Sequence, residues 1–199
     1  MPRPLILASQ SASRAEVLRH ARVGFEAVAA RVDEAAVKTA MLAEAAPPRD
    51  IADALAELKA RRVATRRPDA LVLGCDQMLV CEGRTFDKPM DVAAARAQLR
   101  VLRGRVHELL SAAVVFEDAR PVWRHVGRAR LTMRAFSDEF LESYLNEQGS
   151  AVLASVGGYK LEDGGAQLFA RVEGDIFTVM GVPLLELLGF LRSRGVCAE

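Results

Sequence analysis

Apolar positions along this chain fall into short continuous runs and into helical spacings, with polar turns between them. Leu5-Ile6-Leu7-Ala8 is a continuous apolar run, the pattern of a strand buried on both faces. It feeds directly into Ser9-Gln10-Ser11-Ala12-Ser13-Arg14, after which Val17, Leu18 and Ala21 mark one side of a helix. Phe25-Glu26-Ala27-Val28 is strand-like, and Glu44-Ala45-Ala46-Pro47-Pro48-Arg49 is the most linker-like stretch. Asp50 is then placed to cap a helix bearing Ile51, Leu55 and Leu58. Ala70-Leu71-Val72-Leu73 predicts a second buried strand ending at Gly74-Cys75-Asp76, with extended structure resuming over Gln77-Met78-Leu79-Val80.

Glu82-Gly83-Arg84 reads as a turn, and Lys88-Pro89 closes the loop behind it. Asp91 opens a helix through Val92, Ala95, Leu99 and Leu102, with Gly104 as its stop. Val106 to Phe116 and Val122 to Met133 predict a β-meander joined across residues 117–121. Ser137 caps a helix with Phe140, Leu141, Tyr144 and Leu145, ended by Gly149. After the glycines at 157, 158, 164, 165 and 174, Pro183 stands at the first position of a leucine-rich helix. Helices and strands mix without strict alternation, which predicts a mixed-sheet α/β or α+β domain, compatible with two lobes around a cleft.

Composition narrows the class. A chain of 199 residues, 51% hydrophobic and 27% charged, has the makeup of a soluble globular protein with a substantial core. A formal net charge of +1 supplies no global field toward nucleic acid or membrane. Cys75, Cys81 and Cys197 are odd in number and lack metal-ligand spacing, which argues against a disulfide framework and fits a reducing compartment. No apolar run approaches the roughly 18 residues of a membrane span. Met1-Pro2-Arg3-Pro4 leads into a strand rather than a signal peptide, so the expected location is cytoplasmic.

Several positions carry candidate chemistry. The turn from Ser9 to Arg14 lies between a strand and a helix mouth, where free N–H groups and the helix dipole suit an anion. Arg14 opposes that dipole and calls for something negative nearby. The plainer reading makes Ser13 the cap and Glu16 the far side of a capping box. Asp76, after a glycine at a strand's end, sits where open α/β sheets place ligands, and could bind a metal or take a proton from water. It reads equally as a turn aspartate bonded to its own backbone. Asp33-Glu34 is either a solvated acidic pair or a source of one site carboxylate. Lys59 and Lys88 join Arg14 as three cations able to neutralise a polyphosphate if the fold gathers them. Arg124, Arg128, Arg130 and Arg134 share one strand face, opposite Trp123, Leu131 and Met133. Lacking interleaved aromatics, they read as a solvated face rather than a nucleic-acid surface. His20, His107 and His125 show no ligand spacing, and the glycines near 157–165 fit no Walker loop.

Taken in order, Ser9-Gln10-Ser11-Ala12-Ser13-Arg14, Val32-Asp33-Glu34, Leu58-Lys59-Ala60, Gly74-Cys75-Asp76, Lys88-Pro89, Gly157-Gly158-Tyr159, Gly174-Asp175 and Gly181-Val182-Pro183-Leu184 resemble the Maf family of nucleoside triphosphate pyrophosphatases. The resemblance covers nearly the whole chain. It implies one Maf-like domain over residues 1–199, with a two-lobed α/β fold of the inosine-triphosphatase-like type. It also implies a homodimer, a nucleotide in the cleft, and hydrolysis between the α and β phosphates assisted by Mg²⁺ or Mn²⁺. Carried over by position, Asp76 matches the catalytic acidic residue, and Glu34 a carboxylate that helps hold the metal or position water. Ser9, Arg14, Lys59 and Lys88 match phosphate-facing groups, while Ser11 and Ser13 complete the substrate-facing turn.

For the base, Gln77 and Glu162 are similar to the 7-methyl-GTP branch; the pyrimidine branch, acting on dTTP and UTP, has a small hydroxyl residue and a glutamine there. Ser13 matches neither branch, and Ala12 replaces the usual proline. The resemblance thus implies a hydrolase cleansing the nucleotide pool. The competing class is a non-catalytic cell-division regulator or nucleic-acid-binding protein, for which Asp76 would have no use.

Overall fold

The computed structural model describes residues 3–198; the Met1-Pro2 part of the stretch expected to lead into the first strand lies outside them. In chain order the first elements are β1 (Leu5–Leu7), α1 (Ala12–His20), β2 (Glu26–Ala27), α2 (Glu34–Ala43), α3 (Pro48–Ala64), β3 (Leu71–Cys81), β4 (Arg84–Phe86) and α4 (Val92–Leu102). There follow β5 (Val106–Glu117), β6 (Arg120–Met133), α5 (Asp138–Gln148), β7 (Phe169–Glu173), α6 (Ile176–Val179) and α7 (Leu184–Ser193). Short 3₁₀ turns fill Gly149–Ala154, Val156–Gly158 and Gly164–Leu168. The described strands form one seven-stranded mixed sheet in the order β2-β1-β3-β5-β6-β7, with β4 paired to β3. This is the mixed α/β class the patterning predicts.

The chain divides into two compact units. Of the described residues, the first holds 3–77, Ser111–Gly127 and 181–198; the second holds Met78–Leu110 and Arg128–Met180. In the first unit β1 pairs in parallel with β3, Leu5 opposite Leu71 through Leu7 opposite Leu73, and with β2 on its other side. Leu5, Ile6, Leu7 and Ala8 are all buried, as are Leu71, Val72 and Leu73. α3 presents Ile51, Ala52, Leu55, Ala56, Ala60 and Val63 to the interior. Gly74 explains how closely α3 lies against β3: a Cβ there would stand 2.1 Å from the Ala56 carbonyl oxygen and 2.7 Å from the Ala60 nitrogen. Only glycine allows that approach.

The second unit has its own core, in which Leu79 and Phe86 pack with Leu99 and Leu102 of α4, Leu141 and Leu145 of α5, Leu131, Met133 and Tyr159. Asp91 caps α4, its carboxylate accepting from the Ala94 N–H at 2.6 Å. Ser137 caps α5, its hydroxyl accepting from the Phe140 N–H at 3.2 Å. Both caps stand where the sequence predicts them. No helix of the described residues is long and apolar enough to cross a membrane.

Several local expectations are corrected. Ser11, not Ser13, caps α1, because the helix begins at Ala12 and Ser13 already lies inside its first turn. α3 starts at Pro48, so Asp50 belongs to the first turn and caps nothing; proline's fixed φ and missing N–H suit it to that opening position. The strand expected to end at Gly74-Cys75-Asp76 and resume at Gln77 runs unbroken from Leu71 to Cys81. Its parallel pairing with β1 does stop at Leu73. Phe25–Val28 shrinks to the two-residue β2, and residues 34–43, which carried no prediction, form α2 with no buried residue. Pro183 sits just before α7 rather than at its first position. Trp123 is half-buried, stacked on Phe190 and His125.

Candidate active site

In the first unit the turn after β1 is held by its own hydroxyls. Ser9 Oγ accepts from the Ser11 N–H at 3.1 Å, and Ser11 Oγ accepts from the Arg14 N–H at 3.4 Å. These bonds satisfy donors that a helix start leaves open. The Arg14 guanidinium folds back across the turn. Its Nε–H donates to the Gly181 carbonyl at 3.2 Å, and Nη1 donates to the Cys75 carbonyl at 2.8 Å and to Ser9 Oγ at 3.4 Å. All these acceptors are neutral, and among the described residues no carboxylate stands within ion-pair distance of Arg14. A half-buried cation at a helix N-terminus, without a counter-charge, is a place for an anion.

The second cluster centres on Lys59. Helical spacing from Leu55 to Val63 puts it on the buried face of α3. Its ammonium donates to Oδ1 of Asp76 at 2.6 Å and lies 2.6 Å from Oε2 of Glu34. Lys59 and Asp76 are nearly sealed from solvent, at 6% exposure each, whereas Glu34 is exposed at the head of α2. Asp33, beside it, caps that helix through the Ala36 N–H at 3.0 Å. The acidic pair is therefore split: one member closes a helix, and the other reaches Lys59. Among the described residues Oδ2 of Asp76 has no hydrogen-bond partner, so one face of the carboxylate can accept a proton.

Burial raises the Asp76 carboxyl above the ordinary carboxylate range, against the opposing pull of Lys59 and Arg14 and with a smaller push from Glu34. The buried Cys75 thiol is pushed up to about 11, chiefly by desolvation, so it is a neutral neighbour whose carbonyl matters more than its sulfur. Gln77 follows Asp76 and donates from Nε2 to the wholly buried Ser111 hydroxyl at 2.8 Å. The structure thus gathers Ser9, Ser11 and Arg14 around one point and Glu34, Lys59 and Asp76 around another, with the charge of Arg14 felt at Asp76. Lys88 and Glu162 belong to the second unit, where both are exposed. There Gln98 Nε2 donates to the Asp87 carbonyl at 2.9 Å, bracing the loop that carries Lys88.

Sequence reasoning missed Ser111 and the carbonyls of Cys75 and Gly181. A backbone carbonyl leaves no mark in residue type, though the glycine at 181 was visible as part of a motif.

Two arginines of the stripe, Arg124 and Arg128, are paired with carboxylates of their own unit. Arg124 pairs with Asp53 at 2.6 Å and with Glu57 at 2.7 Å. In the second unit Arg128 pairs with Glu108, and Arg134 donates to the Gln167 carbonyl at 2.7 Å.

The geometry is matched by kinship. Residues 4–194 match the family described as Maf-like protein. The chain belongs to that family. A nucleoside triphosphate pyrophosphatase of Ruegeria pomeroyi is 55% identical to this Maf-like chain over 193 residues, 97% of either protein. One from Caulobacter vibrioides is 53% identical over 192 residues, 96% of each. One from Rhodospirillum rubrum is 48% identical over 193 residues, covering 97% of this chain and 96% of that protein. The Maf-like expectation drawn from eight short motifs therefore holds across the chain.

Proposed function

We propose that this chain hydrolyses nucleoside triphosphates to the monophosphate and pyrophosphate. The observation that carries the reading is the Lys59 ammonium gripping Oδ1 of Asp76 at 2.6 Å beside an arginine with no carboxylate of its own. Lys59 orients Asp76 and favours its ionised form against the pull of burial, leaving Oδ2 to take a proton from the attacking water. Water oxygen bonds to the α phosphorus, the bridge from that phosphorus to the β phosphate breaks, and pyrophosphate departs with the bridging oxygen. The water's proton passes to Asp76 and on to solvent. Arg14 and the N–H groups at the head of α1 offset the negative charge of the phosphates.

A divalent ion fits the donor set. Asp76 and Glu34 present carboxylate oxygens no more than about 5 Å apart, because both touch one ammonium. Among the described residues no cluster of three or more His, Cys, Asp or Glu side chains could hold a metal. Two carboxylates completed by phosphate oxygens and water suit Mg²⁺. Asp76 and Glu34 would hold it, and it would supply charge neutralisation and a more acidic water.

For the base we favour 7-methyl-GTP over dTTP and UTP. Gln77, fixed by Ser111, and the exposed Glu162 are the supporting residues, since a carboxylate complements the cationic N7-methylated ring. We also propose that the protein is a homodimer, tested by particle mass in solution. Asp76→Asn should keep its fold and lose pyrophosphate release by at least about 100-fold. Near-normal turnover in that variant overturns the role given to Asp76. Comparing 7-methyl-GTP, GTP, dTTP and UTP tests the base, and a pyrimidine preference overturns that choice alone.

A further inference from the structure

We propose that Gly181 is a positioning residue for the anion site: its carbonyl locks the Arg14 guanidinium so that Nη2 is the edge offered to phosphate. This rests on the reading of Arg14 as a phosphate-facing group.

A guanidinium has five N–H donors in one plane. Here Nε–H goes to the Gly181 carbonyl at 3.2 Å, and the Nη1 hydrogens go to the Cys75 carbonyl at 2.8 Å and Ser9 Oγ at 3.4 Å. The two hydrogens of Nη2 remain, without a partner among the described residues. Backbone carbonyls from two separate stretches of the first unit clamp the plane on two sides, so the remaining edge has one direction. The acceptors carry no formal charge, and the full charge of Arg14 stays available to an anion. Lysine could not replace it, because one ammonium cannot hold these anchors and still present a planar edge.

Position 181 has little tolerance for a side chain. Its φ is +96°, a region L-residues rarely adopt. A Cβ there would stand 3.1 Å from Arg14 Nε, the atom the carbonyl holds. Gly181-Val182-Pro183-Leu184 stood out in the sequence without a task; the structure gives its first residue one. A glycine kept only to shape the approach to α7 would have no dependence on Arg14, and that difference is measurable.

The test is a double-mutant cycle with inorganic pyrophosphate as the probe, its affinity read by calorimetry alongside KM and kcat. Gly181→Ala should weaken pyrophosphate binding by at least about ten-fold and raise KM more than it lowers kcat. In the Arg14→Ala background the same change should cost less than about two-fold. Equal losses in both backgrounds overturn the positioning role while leaving Arg14 as a phosphate group. Undiminished affinity in Gly181→Ala overturns it too. Undiminished affinity in Arg14→Ala overturns both the role of Gly181 and the underlying reading of Arg14. If Gly181→Ala does not fold, NMR of the wild-type side chain decides. The Arg14 Nε–H should exchange slowly, with pyrophosphate shifting the Nη2 hydrogens; an Nε–H exchanging as fast as in a free peptide overturns the proposal.

Discussion

Lys59 and Asp76 meet at 2.6 Å in a pair whose side chains are only 7% and 9% exposed. Burying one member alone is costly, because the survivor is left as an uncompensated charge. Lys59→Met should therefore lose about 3–5 kcal/mol of stability near neutral pH, read by urea denaturation. The Asp76 carboxyl is raised on folding, so ionising it opposes folding, and protonation relieves the cost. The deficit of Lys59→Met should shrink as pH falls. A deficit that grows on acidification contradicts this assignment.

The same cluster sets the titration of Asp76. Lys59 lowers it and Glu34 raises it. By carboxyl NMR, Glu34→Gln should move the Asp76 titration to lower pH and Lys59→Met to higher pH, each being the response of the coupled cluster. Movement in the opposite directions would mean that the charges act otherwise.

Gly74→Ala should be among the most damaging single-methyl changes. Its Cβ would collide with the backbone of α3 at Ala56 and Ala60, which flank Lys59 on that helix. Overpacking of this kind costs about 1–3 kcal/mol or more. Stability and turnover should fall together; full activity in a stable Gly74→Ala protein would show that α3 can move without disturbing Lys59.

His107 in the second unit is buried, with Nε2 2.7 Å from the Tyr159 hydroxyl, and desolvation lowers its pKa from 6.5 to about 4. A histidine kept neutral stabilises the fold fully above its unfolded pKa and loses that contribution as pH falls toward the folded one. Between pH 6.5 and about 4 the wild type should lose up to about 3 kcal/mol that His107→Gln does not. Parallel stability curves for the two proteins would contradict this.

Ser111 should act on substrate choice through Gln77. Ser111→Ala removes the buried acceptor of the Gln77 amide. KM should rise by about three- to ten-fold with kcat little changed, and the ranking of bases should narrow. A fall confined to kcat would assign Ser111 elsewhere.

Much of this was legible in residue order. The caps at Asp91 and Ser137, the meander and the buried β1 and β3 runs follow from local patterning. Lys59 was legible only as a candidate cation on the helix bearing Ile51 and Leu55; that it stands on the buried face of that helix came from the fold. What patterning could not give was nonlocal. α2 packs no fully buried residue, its apolar Val37 and Met41 staying half-buried, and Glu34 arrives at Lys59 from its exposed end. Ser11 displaced Ser13 as the cap because the bond that decides it depends on where the backbone enters the helix. Carbonyl anchors such as Cys75 and Gly181 are invisible to any reading of side chains.

The most direct measurement is phosphorus NMR of a nucleoside triphosphate turned over by the wild-type protein with Mg²⁺. Monophosphate and pyrophosphate should appear in equal amounts, with both absent in Asp76→Asn. Diphosphate and orthophosphate as the products would contradict hydrolysis between the α and β phosphates.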